Sequence, residues 1–131
     1  MALIDLHTHT TASDGTLSPK DLVALAAQKG LVAVAITDHD SLAGLPEARL
    51  AGAELGVEVV AGVELSVADG PGSIHLVGLF LPDNPGPLAE RLAWLRKRRH
   101  DRNHRILERL KELGVNLDYA SVTALAQGAV G

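Results

Sequence analysis

The run Leu31-Val32-Ala33-Val34-Ala35-Ile36, ending in Thr37, is apolar without the alternation that a sheet wetted on one face requires. Such a strand is covered on both faces, as in a parallel sheet flanked by helices, so the chain is predicted to be α/β. Its neighbours agree. Residues 2–7 read as a short buried strand, followed by a polar loop from Thr8 to Gly15. Ser18-Pro19-Lys20-Asp21 then supplies an N-cap, a proline at the first helical position and an acid in the first turn. The helix this predicts covers residues 19–29 and stops at Gly30. A second helix from about Pro46 to Leu55, closed by Gly56, leads to a strand at 57–61, so strands and helices alternate.

Further along, residues 63–67 and 73–80 flank Asp69-Gly70-Pro71-Gly72 and read as a hairpin. Residues 88–113 form a long helix whose apolar stripe is Leu88, Leu92, Leu95, Ile106, Leu110 and Leu113. Asp118 caps one more short helix to Ala126, and residues 127–131 read as loop with no closing strand or helix. No repeat or linker divides residues 1–131, which read as a single domain.

Composition narrows the chemistry. The chain has no cysteine, which removes disulfides and thiolate metal sites. A net charge of -4, with one Phe, one Tyr and one Trp, speaks against a global electrostatic grip on nucleic acid and against a base-stacking platform. Met1 leads into Ala-Leu-Ile-Asp without a basic leader or a long apolar stretch, so a cytoplasmic location with no membrane partner is expected.

The histidines fall at telling positions. If strand geometry persists from His7 to His9, both imidazoles project from one face and can chelate one ion. An isolated His-x-His is better explained by two solvated polar residues at a strand end. The balance changes because Asp14 lies in the same loop, His39 follows the second strand, Glu64 follows the third, and His75 sits on the hairpin. Loops after the strands of a parallel array gather on one rim, so these segments converge there. Mixed nitrogen and oxygen donors without thiolate suit zinc, manganese or iron.

Other polar residues carry two readings. Asp38 and Asp40 either orient a ligand imidazole or cap the approach to a helix, and Asp5 either supports the site or is a hydrogen-bonded core carboxylate. Trp94 reads as a core or packing anchor. His100 and His104 share a helix face, but the arginines around them would repel a cation, which favours a solvated surface. Seven basic residues between Arg96 and Arg109 balance nearby acids in part, while Arg99 and Arg102, three apart, form a natural clamp for a phosphate.

Taken in order, His7-Thr8-His9-Thr10, Ser13-Asp14-Gly15, Thr37-Asp38-His39-Asp40, Gly62-Val63-Glu64-Leu65-Ser66 and Ile74-His75-Leu76-Val77-Gly78 resemble the PHP family, the polymerase and histidinol phosphatase domain. The likeness is to its stand-alone bacterial phosphoesterases acting on nucleoside 3',5'-bisphosphates and on 5' ends of short RNA. It implies a distorted β/α barrel with up to three divalent ions, manganese, iron or zinc. His7, His9 and Glu64 would hold one ion, Glu64 and His75 a second, and Asp14 with His39 a third. Glu64 and His39 are the implied catalytic residues, and Arg99 and Arg102 fall on positions facing substrate phosphate.

The family pattern continues with a histidine just past residue 131 and a later Asp-x-His pair, none of them in this sequence. The implied barrel is therefore incomplete, with its C-terminal strands missing, and each ion is short of one ligand. The expectation is a portion of a longer protein with weak or no turnover by itself, and an open sheet edge that invites self-association. The alternatives are a non-catalytic PHP-like module that binds metal or phosphate, and the PHP domain of a polymerase.

Overall fold

A computed structural model describes residues 2–69 and 72–126. Its elements are β1 (Leu3–Thr8), α1 (Pro19–Gln28), β2 (Leu31–Ile36), α2 (Leu45–Leu55), β3 (Glu58–Asp69), β4 (Gly72–Leu79), α3 (Pro87–Glu112) and α4 (Tyr119–Leu125). The strands form one curled sheet in the order β1-β2-β3-β4, a half-barrel in a mixed α/β fold. β1, β2 and β3 run parallel, and β4 returns antiparallel to β3. The tip of that hairpin, Gly70-Pro71, lies outside the described residues, as does the 127–131 tail expected to be loop.

Local chemistry accounts for the elements. The Ser18 hydroxyl accepts from the Asp21 N–H at 3.1 Å and caps α1, with Pro19 opening the helix. Gly56, at φ 71°, gives α2 its left-handed stop. The side chains of α1 and α2 pack on β2 and β3 around Val23, Val34, Ile36, Ala48 and Ala61. Each of the larger aliphatic side chains buried there contributes about 1.5–3 kcal/mol relative to exposure. β2 is buried from Ala33 to Ile36, while Val32 near its start is 49% exposed, so the cover expected of this apolar run is incomplete there.

Three expectations need correction. β3 is one continuous strand across Gly62, where the sequence suggested two separate strands. Its first half pairs with β2 and its second with β4. Gly62 marks the change of partner, since a Cβ there would stand 2.7 Å from Thr37 Cγ2 and 3.0 Å from the Gly78 carbonyl oxygen. Trp94 is not core: it is 49% exposed, with the Arg98 guanidinium 5.0 Å above its ring. Along α3, Leu92 is buried, but Ile106 and Leu113 are exposed, so the expected stripe is covered only toward its N-terminal end.

The outer edge of β1 has no partner among the described residues, and Leu3 and Ile4 beside it are more than half exposed. No helix among the described residues is long and apolar enough to cross a membrane.

Candidate metal centre

Two backbone connections at the C-terminal ends of the strands place the polar residues. Thr37 N–H donates to the Thr8 carbonyl at 2.9 Å, and the hydroxyls of Thr8 and Thr37 add bonds to Ala35 O and Thr8 O. This tie holds His7 and His9 level with the end of β2. Beyond β2, the Asp40 N–H donates to Glu64 O at 3.0 Å and Glu64 N–H to Asp38 O at 3.3 Å, setting His39 directly beside Glu64. The β3–β4 pairing brings in His75, which lies opposite Ser66.

The loop after β1 is folded by Asp38. Its carboxylate accepts from Thr10 N–H and the Thr10 hydroxyl, both at 2.7 Å, and from the Ser13 hydroxyl at 2.6 Å. Asp38 is fully buried, so these bonds decide its place. These contacts match neither reading of Asp38, the orientation of an imidazole or a helix cap: it organises the loop after β1 instead. The loop turns back so tightly that a Cβ on Gly15 would sit 2.3 Å from the His9 carbonyl oxygen. That closeness swings Asp14 onto His9.

All six candidate ligands converge. Glu64 Oε2 lies 2.9 Å from His7 Nε2, 2.8 Å from His9 Nε2 and 3.7 Å from His39 Nε2, while Oε1 lies 2.6 Å from His75 Nδ1. Asp14 stands 3.2 Å from His9 Nδ1 and 3.6 Å from His39 Nε2. Three groups result, each with donor atoms within 4.8 Å of one another: His7, His9 and Glu64; His9, Asp14 and His39; and His39, Glu64 and His75. Each is the size of a site for one cation. The imidazole and carboxylate donors without thiolate suit a divalent metal of borderline or hard character.

Electrostatics prepare the groups for a cation. Burial would raise the Glu64 pKa, but the bonds from His7 and His75 outweigh it and the net shift is downward, so the carboxylate is ionised. Burial lowers the His39 pKa against the opposing pull of Glu64 and Asp14, which keeps its ring neutral and its lone pair available. The Glu64 side chain is 4% exposed, whereas His7, His75 and Asp14 are about half exposed. The centre thus has a closed floor and an open mouth.

Arg99 stands next to this centre through Asp40. Its guanidinium donates to Asp40 Oδ2 from Nη2 at 2.7 Å and from Nε at 3.2 Å. Arg96 adds a bond from Nη1 to the Asp40 carbonyl at 2.7 Å. Asp40 itself has φ 51°, a left-handed conformation that Asp tolerates better than most non-glycine residues, and its Oδ1 is buried with no partner. Arg102 instead turns to the Asn103 amide oxygen at 3.0 and 3.2 Å. Asp5 is exposed and accepts from the His7 N–H at 3.1 Å, so it is not a core carboxylate.

Sequence reasoning missed two features. His9 and His39 each belong to two groups, because an imidazole has two nitrogens or one nitrogen can face two acids, and spacing reveals neither. It also missed Arg96 as the partner of a backbone carbonyl, for which composition carries no signal.

The chain is similar to known proteins in sequence and fold. The chain is 39% identical over 126 residues to a 5'-3' exoribonuclease of Haemophilus influenzae, covering 96% of this chain and 46% of that protein. It is 38% identical over 130 residues to a 3',5'-nucleoside bisphosphate phosphatase of Chromobacterium violaceum, covering 99% of this chain and 43% of that protein. A solved Bifidobacterium adolescentis structure named as a metal-dependent phosphoesterase superposes with a TM-score of 0.84 at 34% identity, over 98% of this chain and 46% of that one. The chain thus spans about half the length of the relatives it matches. The PHP domain matches residues 5–128, so His7, His9, Asp14, His39, Glu64 and His75 all lie inside the match, and the chain belongs to the PHP domain family.

Proposed function

We propose that this chain forms the metal-binding portion of a phosphoesterase that hydrolyses a phosphomonoester of a small nucleotide. A nucleoside 3',5'-bisphosphate or the 5' end of a short RNA is the substrate, in line with what the two relatives are named for. The observation that carries this reading is a single buried carboxylate, Glu64, meeting imidazoles on both of its oxygens.

In this reading His7, His9 and Glu64 would hold one ion, Glu64 with His75 a second, and Asp14 with His39 a third. Manganese, iron or zinc suits these donors. Bound divalent ions lower the pKa of a coordinated water and offset phosphate charge in an in-line displacement. The chain's own residues do the rest. Glu64, ionised and buried, joins two of the groups, and neutral His39 offers its Nε2 beside Asp14. Asp38 fixes the loop that carries Asp14, and Asp40 ties the His39 segment to α3 through Arg99 and Arg96. Arg99 and Arg102, which face Asp40 and Asn103 without substrate, would turn to a bound phosphate in this reading.

A cleft of about 300 Å³ between Ser41-Leu42-Ala43 and Ala89, Leu92 and Arg96 follows directly on Asp40 and gives room for the non-phosphate part of a small substrate. Phosphate release from adenosine 3',5'-bisphosphate by metal-loaded protein carrying this chain tests the reading. Manganese-dependent release that Glu64→Gln abolishes is expected. No release, with 5' RNA ends also untouched, overturns it.

A further inference from the structure

Outside the metal centre one more pair of imidazoles converges. His100 and His104 are one turn apart on α3, and their Nε2 atoms lie 3.1 Å from each other. Two nitrogens bound at about 2.0–2.1 Å to one ion stand roughly 2.9 Å apart at right angles and roughly 3.4 Å apart in a tetrahedron. The observed separation falls between these limits, and it nearly equals the 3.2 Å between His7 Nε2 and His9 Nε2.

The arginine-rich context argued against a cation here, but five of the six arginines from Arg96 to Arg109 are engaged with other partners. Arg96 and Arg99 serve Asp40, Arg98 covers Trp94, Arg102 faces Asn103, and Arg109 pairs with Glu112 at 2.5 Å. Asp101 adds a negative charge beside the pair, its Oδ1 3.8 Å from His100 Nδ1.

The pair is also held in place from α4. The Tyr119 ring stacks on His104 at 4.5 Å between centroids and 28° between planes, and meets His100 edge-on at 5.1 Å. These ring contacts favour the arrangement that keeps the two Nε2 atoms together, and preorganisation of that kind lowers the entropy cost of chelation.

We propose that His100 and His104 form a separate surface site for a late first-row divalent ion, such as nickel, copper or zinc, with water completing its coordination. Imidazole donors select these ions over magnesium or calcium. The site needs neither Glu64 nor the relatives' chemistry, so it stands or falls independently of the proposed activity.

Equilibrium dialysis of the chain against low micromolar Ni²⁺ tests it, with bound metal counted in wild type, His100→Ala, His104→Ala and His104→Cys. Alanine is a good helix former at these exposed positions, and far-UV circular dichroism reports whether α3 is intact. The expected result is one equivalent fewer in each alanine variant, restored in His104→Cys, with the same difference in a Glu64→Gln background. Equal metal content in wild type and both alanine variants overturns the proposal and leaves the two rings sharing only an N–H···N hydrogen bond.

Discussion

His75 Nδ1 lies 2.6 Å from Glu64 Oε1, on the carboxylate oxygen opposite to the one that meets His7 and His9. One buried side chain thereby joins two groups of nitrogens that come from β1, the segment after β2, and β4. Glu64→Gln keeps the size and removes the charge. Both groups should lose metal, and turnover should fall by more than about 100-fold, the upper end of what losing a mere outer partner costs a metal site. Elemental analysis beside a phosphate-release assay checks this, and wild-type metal content in the variant contradicts it.

Asp38 holds the loop that carries Asp14. Asp38→Ala removes three charge-assisted bonds and strands the Thr10 N–H, at a site fully closed to water. A loss of about 3 kcal/mol in stability is expected. Urea denaturation measures it, and an unchanged midpoint would show that the loop folds without its anchor.

Arg99 and Arg102 separate on stability. Arg99→Ala leaves the Asp40 carboxylate, 5% exposed, without its cation, a change that costs about 3–5 kcal/mol in buried pairs. Arg102→Ala removes only a contact with its chain neighbour and should cost less than about 1 kcal/mol. Both should raise KM for a phosphorylated substrate. Equal thermal stability in the two variants would deny the Asp40 pairing any structural weight.

The contrast between these arginines shows what could be read from the letters alone. The α/β alternation and the rim of ligands were legible because apolar runs, caps and glycine stops are local signals. His9, Asp14 and His39 lie in the loops after β1 and β2, and the other three candidate ligands, His7, Glu64 and His75, lie within strands whose direction those signals imply. The continuity of β3 was not legible, since Gly62 reads locally as a break and only the crowding by Thr37 and Gly78 shows why it is small. Nor was the Arg99–Asp40 bond, which spans 59 residues of sequence and depends on how α3 lies across the site. The same holds for Asp38, whose partners Thr10 and Ser13 lie on another loop.

Protonation should weaken the metal-free fold. Burial lowers the His39 pKa below its ordinary 6.5, so the unfolded chain holds that proton more tightly than the folded one. Its contribution is complete above 6.5 and is lost as pH falls through the lowered folded value. Glu64, lowered from 4.5, acts in the same direction at more acid pH: its contribution is present above 4.5 and disappears as pH falls through its folded value. With a chelator present, the denaturation midpoint should drop from about pH 7 to about pH 5, and His39→Asn should flatten that part of the curve. A midpoint constant over this range would contradict the reading.

Anomalous scattering from crystals of the chain equilibrated with Zn²⁺ tests the central claim most directly. The account predicts a peak about 2.0–2.2 Å from His7 Nε2, His9 Nε2 and a Glu64 oxygen, and its loss in Glu64→Gln. Well-ordered crystals with no density among these three side chains would contradict it.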